Sequence, residues 1–333
     1  MRYASPAFIA RSKTMKILKF LAFSVFVVIA VILILLYEGD IPVDVVDAKY
    51  SSPSSLFITL ANETRIHYRD EGNRRGEPII LIHGFGASLH TWAPWVDLLG
   101  DEFRVITLDL PAHGLTGSVP DKDYSTTAFV ETVRLLVEHL KLSHFAIGGN
   151  SMGGEVAWRY ALTHPRDVRA LVLVNSAGLK EWHNPGEQPL AFQLLTQEWF
   201  RSVASVLDPY YLISQAVHSA YNNSPIINDE LILRYYHMVM RDGSREAIIT
   251  RSSHPGQNDV TSADLMEADQ PALILWGQQD SIIDVSIASK FDEVLKNSTL
   301  IIYEQVGHVP MEELPDKSAE DVRMFMRNLT ANP

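Results

Sequence analysis

The chain has 333 residues, enough for one large α/β domain with an insertion or for two ordinary domains. Hydrophobic residues make up 47% and charged residues 20%, so the bulk folds around a substantial core, and a net charge of −12 excludes nucleic acid as a partner. There is no cysteine, which excludes a disulfide framework, a thiolate zinc site, a catalytic cysteine and a lipidated N-terminal cysteine, and leaves the compartment open.

Residues 1–19 read as a basic tail carrying Arg2, Arg11, Lys13, Lys16 and Lys19. Residues 20–37, FLAFSVFVVIAVILILLY, then run for 18 residues without a charge. At about 1.5 Å per residue this nearly matches a hydrocarbon core of about 30 Å, so the sequence predicts a transmembrane helix there, with membrane lipid as a partner. A buried core helix would interrupt its apolar face within two turns. A cleaved signal peptide would have a shorter apolar region and a small-residue cleavage site, which LYEGDIPVD does not offer. Glu38, Asp40, Asp44 and Asp47 follow the run. Positive-inside bias then puts the N-terminus in the cytoplasm and the remainder beyond the membrane, facing a bacterial periplasm. Met15 opens a more ordinary anchor than Met1.

Residues 38–55 carry proline and serine without sustained periodicity and read as a linker. LFITL and RIHYRD alternate as strands, with EGNRRGEP as a turn before PIILIH, a nearly continuous apolar run suited to a strand covered on both faces. Helical periodicity follows in TWAPWVDLL, then a strand in FRVITLDL, an amphipathic helix over 125–140, the strand HFAIGG, a helix over 153–164 and the strand RALVLVN. This alternation predicts a mostly parallel sheet flanked by helices. It stops after Gly178. Residues 181–265 lack a convincing buried strand and are crowded with Trp182, Phe192, Trp199, Phe200, Tyr210, Tyr211, Tyr221, Tyr235, Tyr236, Met238 and Met240. They read as a helical cap inserted after the sixth strand. PALILWG and TLIIYEQVG resume the sheet, so the core comprises 56–180 and 266–333.

Gly149-Asn150-Ser151-Met152-Gly153 fits G-x-S-x-G between an apolar strand and a helix, the setting in which a strained turn lifts a serine hydroxyl above the sheet edge. A serine is a weak nucleophile until a base takes its proton and a third group orients that base. In this setting the partners follow in the order acid, then histidine. Asp280 ends PALILWGQQD and His308 follows TLIIYEQVG, each just past a strand; Asp284 is a rival acid four residues on. The backbone N–H of Met152 and that of Phe85, in His83-Gly84-Phe85-Gly86, are the expected donors to a developing oxyanion. His83 and His113 read as structural. No ligand cluster or phosphate-cradling loop is present, so no metal or cofactor is expected.

The motifs HGFG (83–86), DLPAHG (109–114), GNSMGG (149–154), WGQQD (276–280) and GHVP (307–310) together resemble the α/β-hydrolase superfamily across the whole core. Within it the chain resembles membrane-associated bacterial lipases and esterases and monoacylglycerol-lipase-like enzymes. The resemblance implies the α/β-hydrolase fold, the triad Ser151, Asp280 and His308, and a carboxylic-ester hydrolase acting on lipophilic acyl chains. GNSMGG also resembles carbon–carbon bond hydrolases of aromatic degradation. Those carry a tryptophan where Val309 stands and an arginine where Gln278 stands. Amide or thioester cleavage by the same triad, and a binding protein that kept the fold without catalysis, complete the alternatives. The oligomeric state is open.

Overall fold

The structure, a computed structural model, describes residues 6–182, 190–195, 197–253 and 260–331. Residues 1–5 of the expected basic tail, and 183–189, 196 and 254–259 of the expected cap, lie outside the described residues. The chain divides into two units, one of the residues up to Gly39 with Val206–Asp208, the other of the remainder.

The first unit holds α1 (Pro6–Leu35). The transmembrane helix expected over 20–37 is corrected here, because among the described residues no helix is long and apolar enough to cross a membrane. Nor does the apolar run stay helical to its end. Tyr37 forms a bridge with Leu207, and the Asp208 N–H donates to Leu36 O at 2.7 Å.

The second unit is built on eight strands: β1 (Ser55–Thr59), β2 (Arg65–Gly72), β3 (Pro78–Ile82), β4 (Arg104–Leu108), β5 (Phe145–Asn150), β6 (Val168–Val174), β7 (Ala272–Gly277) and β8 (Ser298–Tyr303). Their order across the sheet is β1-β2-β4-β3-β5-β6-β7-β8. The pairs β1–β2 and β2–β4 are antiparallel and every other pair is parallel. Side chains alternate between two apolar layers. Ile80, Ile82 and Ile147 pack with Phe129, Val156 and Trp158 on one face; Ile79, Leu81 and Val172 pack with Trp92, Trp95 and Met326 on the other. That two-sided burial is why the central strands read as unbroken apolar runs.

Outside the sheet, α2 (Val43–Tyr50), α3 (Ala93–Leu99), α4 (Thr126–Leu140) and α5 (Met152–Thr163) precede β6. Between β6 and β7 come α6 (Leu190–Leu195), α7 (Glu198–Ala204), α8 (Tyr210–Ala220), α9 (Asp229–Met240), α10 (Ser244–Ser252) and α11 (Ser262–Leu265). Helices α12 (Ser286–Val294), α13 (Pro310–Glu313) and α14 (Pro315–Ala331) follow β7 and β8. The aromatics and methionines of the insertion divide in two: Tyr221, Met238 and Met240 are buried, whereas Trp199 and Tyr211 are exposed.

Residues 38–55 differ from the linker the sequence suggested, because α2 lies among them and is tied down by side chains. Val46 is buried with Leu115 and Met238. Arg241 pairs with Asp47 at 2.8 Å, Arg245 with Asp40 at 2.5 Å, and Tyr50 Oη lies 2.8 Å from His237 Nδ1. Both arginines are themselves buried, a setting in which removing one partner costs far more than the pair contributes.

Candidate active site

Ser151 sits between the last residue of β5 and the first of α5, with φ 56° and ψ −121°. Left-handed φ at a non-glycine residue is strained and persists only where the surroundings enforce it. Here the Ser151 N–H donates to Val174 O at 3.1 Å, and Ser151 O accepts from Ala177 N at 2.9 Å. The flanking glycines let the turn close: a Cβ on Gly149 would collide with the carbonyl of Gly153, and one on Gly153 with the carbonyls of Ile82 and His83. The Ser151 hydroxyl has no hydrogen-bond partner among the described residues.

The acid and the imidazole arrive from two other strand ends. Asp280 lies three residues past β7 and His308 five past β8, and His308 Nδ1 is 2.7 Å from Asp280 Oδ2. Both are buried. Asp280 Oδ1 accepts from the N–H groups of Ile282 (2.7 Å) and Ile283 (3.0 Å). Asp284, the rival acid, is exposed and accepts from Ser286 N at 2.9 Å. Asn150 joins the Ser151 turn to the His308 turn: its Nδ2 donates to Val174 O at 3.1 Å and to His308 O at 2.9 Å.

The remaining candidates lie on the loop after β3. A Cβ on Gly84 would stand 3.1 Å from Ser151 Cβ, so this loop runs in contact with Ser151. Gly86 takes φ +71°, open to glycine without strain. Phe85 lies between the two glycines, and Met152 opens α5, where a first-turn N–H has no intrahelical acceptor. His83 is fully buried with both ring nitrogens engaged: Nδ1–H donates to Gly84 O (2.8 Å) and Nε2 accepts from Leu110 N (3.0 Å). Burial, against the pull of Asp109 and the Gly84 carbonyl, lowers its pKa, so the ring is neutral. The His113 ring packs on His83 and Phe85, and burial first, His83 second, push its pKa down to about 3. Both rings are therefore neutral near pH 7, with Nδ1 of each against a backbone carbonyl.

Three contributors escaped the sequence reading. Asn175, just past β6, donates to Asp280 Oδ2 at 2.7 Å. Glu313 accepts the N–H groups on either side of His308, from Gly307 (3.0 Å) and Val309 (3.2 Å), and burial raises its pKa. His67, on β2, places Nδ1 2.7 Å from Asp109 Oδ2 and Nε2 2.9 Å from Ser55 Oγ. Asp109 also accepts from Leu89 N (2.7 Å) and Leu115 N (2.8 Å), holding the start of the segment that follows the HGFG loop. Burial works against the charge on Asp109, but the His67 hydrogen bond and the surrounding imidazoles hold its carboxyl well below the usual range. Of these signals only Asp109, inside DLPAHG, stood in a motif. Among the described residues no cluster of histidine and carboxylate groups is arranged to hold a metal.

Comparison with known proteins agrees with this geometry. A family model for the alpha/beta hydrolase fold matches residues 77–212. The chain is 28% identical over 283 residues to Lipase 1 of Psychrobacter immobilis, covering 82% of this chain and 84% of the lipase. It is 28% identical over 280 residues to monoacylglycerol lipase abhd6-A of Xenopus laevis, covering 77% and 78%. A meta-cleavage product hydrolase from Pseudomonas fluorescens IP01 superposes with a TM-score of 0.71 at 22% identity, over 82% of this chain and 97% of that one. That likeness carries the fold alone. Sheet topology gives the chain the α/β-hydrolase fold, and its motifs and relatives are similar to hydrolases of the lipase and esterase kind.

Proposed function

We propose that the chain is a serine hydrolase that cleaves carboxylic esters of lipophilic acyl chains through an acyl-enzyme. Ser151 attacks the ester carbonyl, and His308 Nε2 takes the hydroxyl proton and returns it to the leaving alcohol. Asp280 holds the other ring nitrogen and stabilises the imidazolium. The N–H groups of Phe85 and Met152 receive the oxyanion, one such donor being worth about 2.7–4 kcal/mol. Water then attacks the acyl-enzyme with His308 again as base.

The observation that carries this reading is the buried 2.7 Å contact between His308 Nδ1 and Asp280 Oδ2, delivered by Asn150 to the turn that bears Ser151. Fixing Nδ1 on a carboxylate leaves Nε2 as the basic nitrogen. The lipases among the relatives favour ester over carbon–carbon cleavage, as do Val309 and Gln278. The test is hydrolysis of p-nitrophenyl esters of graded chain length by the purified full-length chain, beside Ser151→Ala and His308→Ala. Both variants are expected to lose more than about 10⁴-fold in kcat, since triad members act as a unit. Turnover of a dienone acid without turnover of any ester would replace this reading with the carbon–carbon one.

A further inference from the structure

We propose that Asn175 is a positioning residue that sets the polarity of the acid–base pair, keeping Asp280 ionised and the His308 proton on Nδ1 so that Nε2 stays bare. What the bare nitrogen does rests on the serine-hydrolase reading; the polarity itself rests on geometry. Asn175 is fully buried at the end of β6, with φ 44°, a left-handed conformation that asparagine tolerates better than most residues. Its Nδ2 lies 2.7 Å from Asp280 Oδ2 and 3.3 Å from Gly307 O, and its Oδ1 lies 3.3 Å from Gly277 N. A carbonyl oxygen can only accept and a backbone N–H can only donate, so the amide has one orientation.

That orientation propagates. Asp280 takes Ile282 and Ile283 N–H on Oδ1, and Asn175 Nδ2 and His308 Nδ1 on Oδ2. Three fixed N–H donors, from Ile282, Ile283 and Asn175, already converge on this carboxylate and favour its ionised form. His308 Nδ1 is therefore the donor, and its second nitrogen keeps the lone pair. The chain of polarity starts at the Gly277 backbone and ends at the base.

An aspartate at 175 has the same shape and cannot donate. Two carboxylates at this separation share one proton, and their further ionisation adds negative charge beside His308. The titratable groups facing the pair are His308 and Glu313, both retained in the variants below.

The experiment compares the full-length wild type with Asn175→Asp and Asn175→Ala. It reads kcat/KM against pH on a p-nitrophenyl ester, and the low-field proton NMR signal of His308 Nδ1–H, assigned by its loss in His308→Ala. In Asn175→Asp the acid limb is expected to move up by about one pH unit or more, with the NMR signal displaced. In Asn175→Ala kcat is expected to fall by roughly 10–100-fold at nearly constant KM, with the signal broadened by exchange, because a loosened base loses its alignment. Two folded variants with the wild-type profile and signal would overturn the proposal. If the wild type hydrolyses no ester and its serine takes no label, the hydrolase reading fails on its own, and the NMR comparison still decides the role of Asn175.

Discussion

Among the described residues the same hydrogen-bonded couple occurs twice, and the proposed function gives the two copies different work. His308 and Asp280 meet at 2.7 Å, and so do His67 and Asp109, each through Nδ1 and Oδ2 and each buried. What separates them is the second ring nitrogen. His67 Nε2 is taken by Ser55 Oγ at 2.9 Å, its side chain has no exposed surface, and it sits in the middle of β2. His308 Nε2 has no partner among the described residues, its side chain is 7% exposed, and its backbone carbonyl is held by Asn150, the residue before Ser151. On the proposed function, an Asp–His couple is a structural staple when both nitrogens are spent inside the fold, and a base when one is left open.

The largest effect that would sharpen this contrast is on catalysis: His308→Ala should abolish ester turnover while denaturant unfolding stays near wild type. His67→Ala should do the reverse. Removing the His67 ring leaves the buried Asp109 carboxylate short of one hydrogen-bond partner, costing about 1–3 kcal/mol, visible as a lowered urea midpoint, with kcat of the folded fraction little changed. If His67→Ala lost activity at full stability, the division of labour drawn here would break.

A smaller effect tests the neutral histidines around the HGFG loop. Burial pushes His113 down to about 3 and His90 to about 4 from an ordinary value of 6.5. Below about 6.5 the unfolded chain therefore binds protons that the folded chain refuses, and stability falls as pH falls. Each such imidazole costs about 1.4 kcal/mol per pH unit until its folded value is reached. Urea unfolding between pH 7 and 5 should show this decline, and His113→Gln should flatten it. A stability that rises on acidification would contradict the neutral assignment. Smaller again is Tyr50→Phe, which removes the contact to His237 Nδ1 and should cost about 1 kcal/mol at unchanged kcat.

Legibility in the sequence followed how local each signal is. The buried strands were readable because both faces of β3 and β7 are covered, leaving PIILI and ALILWG without polar interruption. Ser151 was readable because its constraint is local: the two glycines that avoid collision lie within two residues of it. Asn175 was not, because an asparagine after a strand looks like any turn residue, and its partners Asp280 and Gly307 are 105 and 132 positions away. His67 was hidden inside RIHYRD, where strand alternation gave no hint that Asp109 and Ser55 would bracket one ring. Helix α2 was missed for the opposite reason: eight residues show little periodicity, and its hold on the fold comes from Asp47 and Tyr50 reaching α9 and Arg241. The apolar run of α1 misled because hydropathy alone was read as a crossing, whereas its last residues leave the helix to pair with 206–208.

The measurement closest to the central claim is mass spectrometry of the folded full-length chain after fluorophosphonate treatment, with peptide mapping, beside His308→Ala. The account predicts one adduct per chain on the hydroxyl of Ser151, formed at least about 10³-fold more slowly in the variant. A folded wild type that takes no adduct, or takes it on another residue, would contradict it.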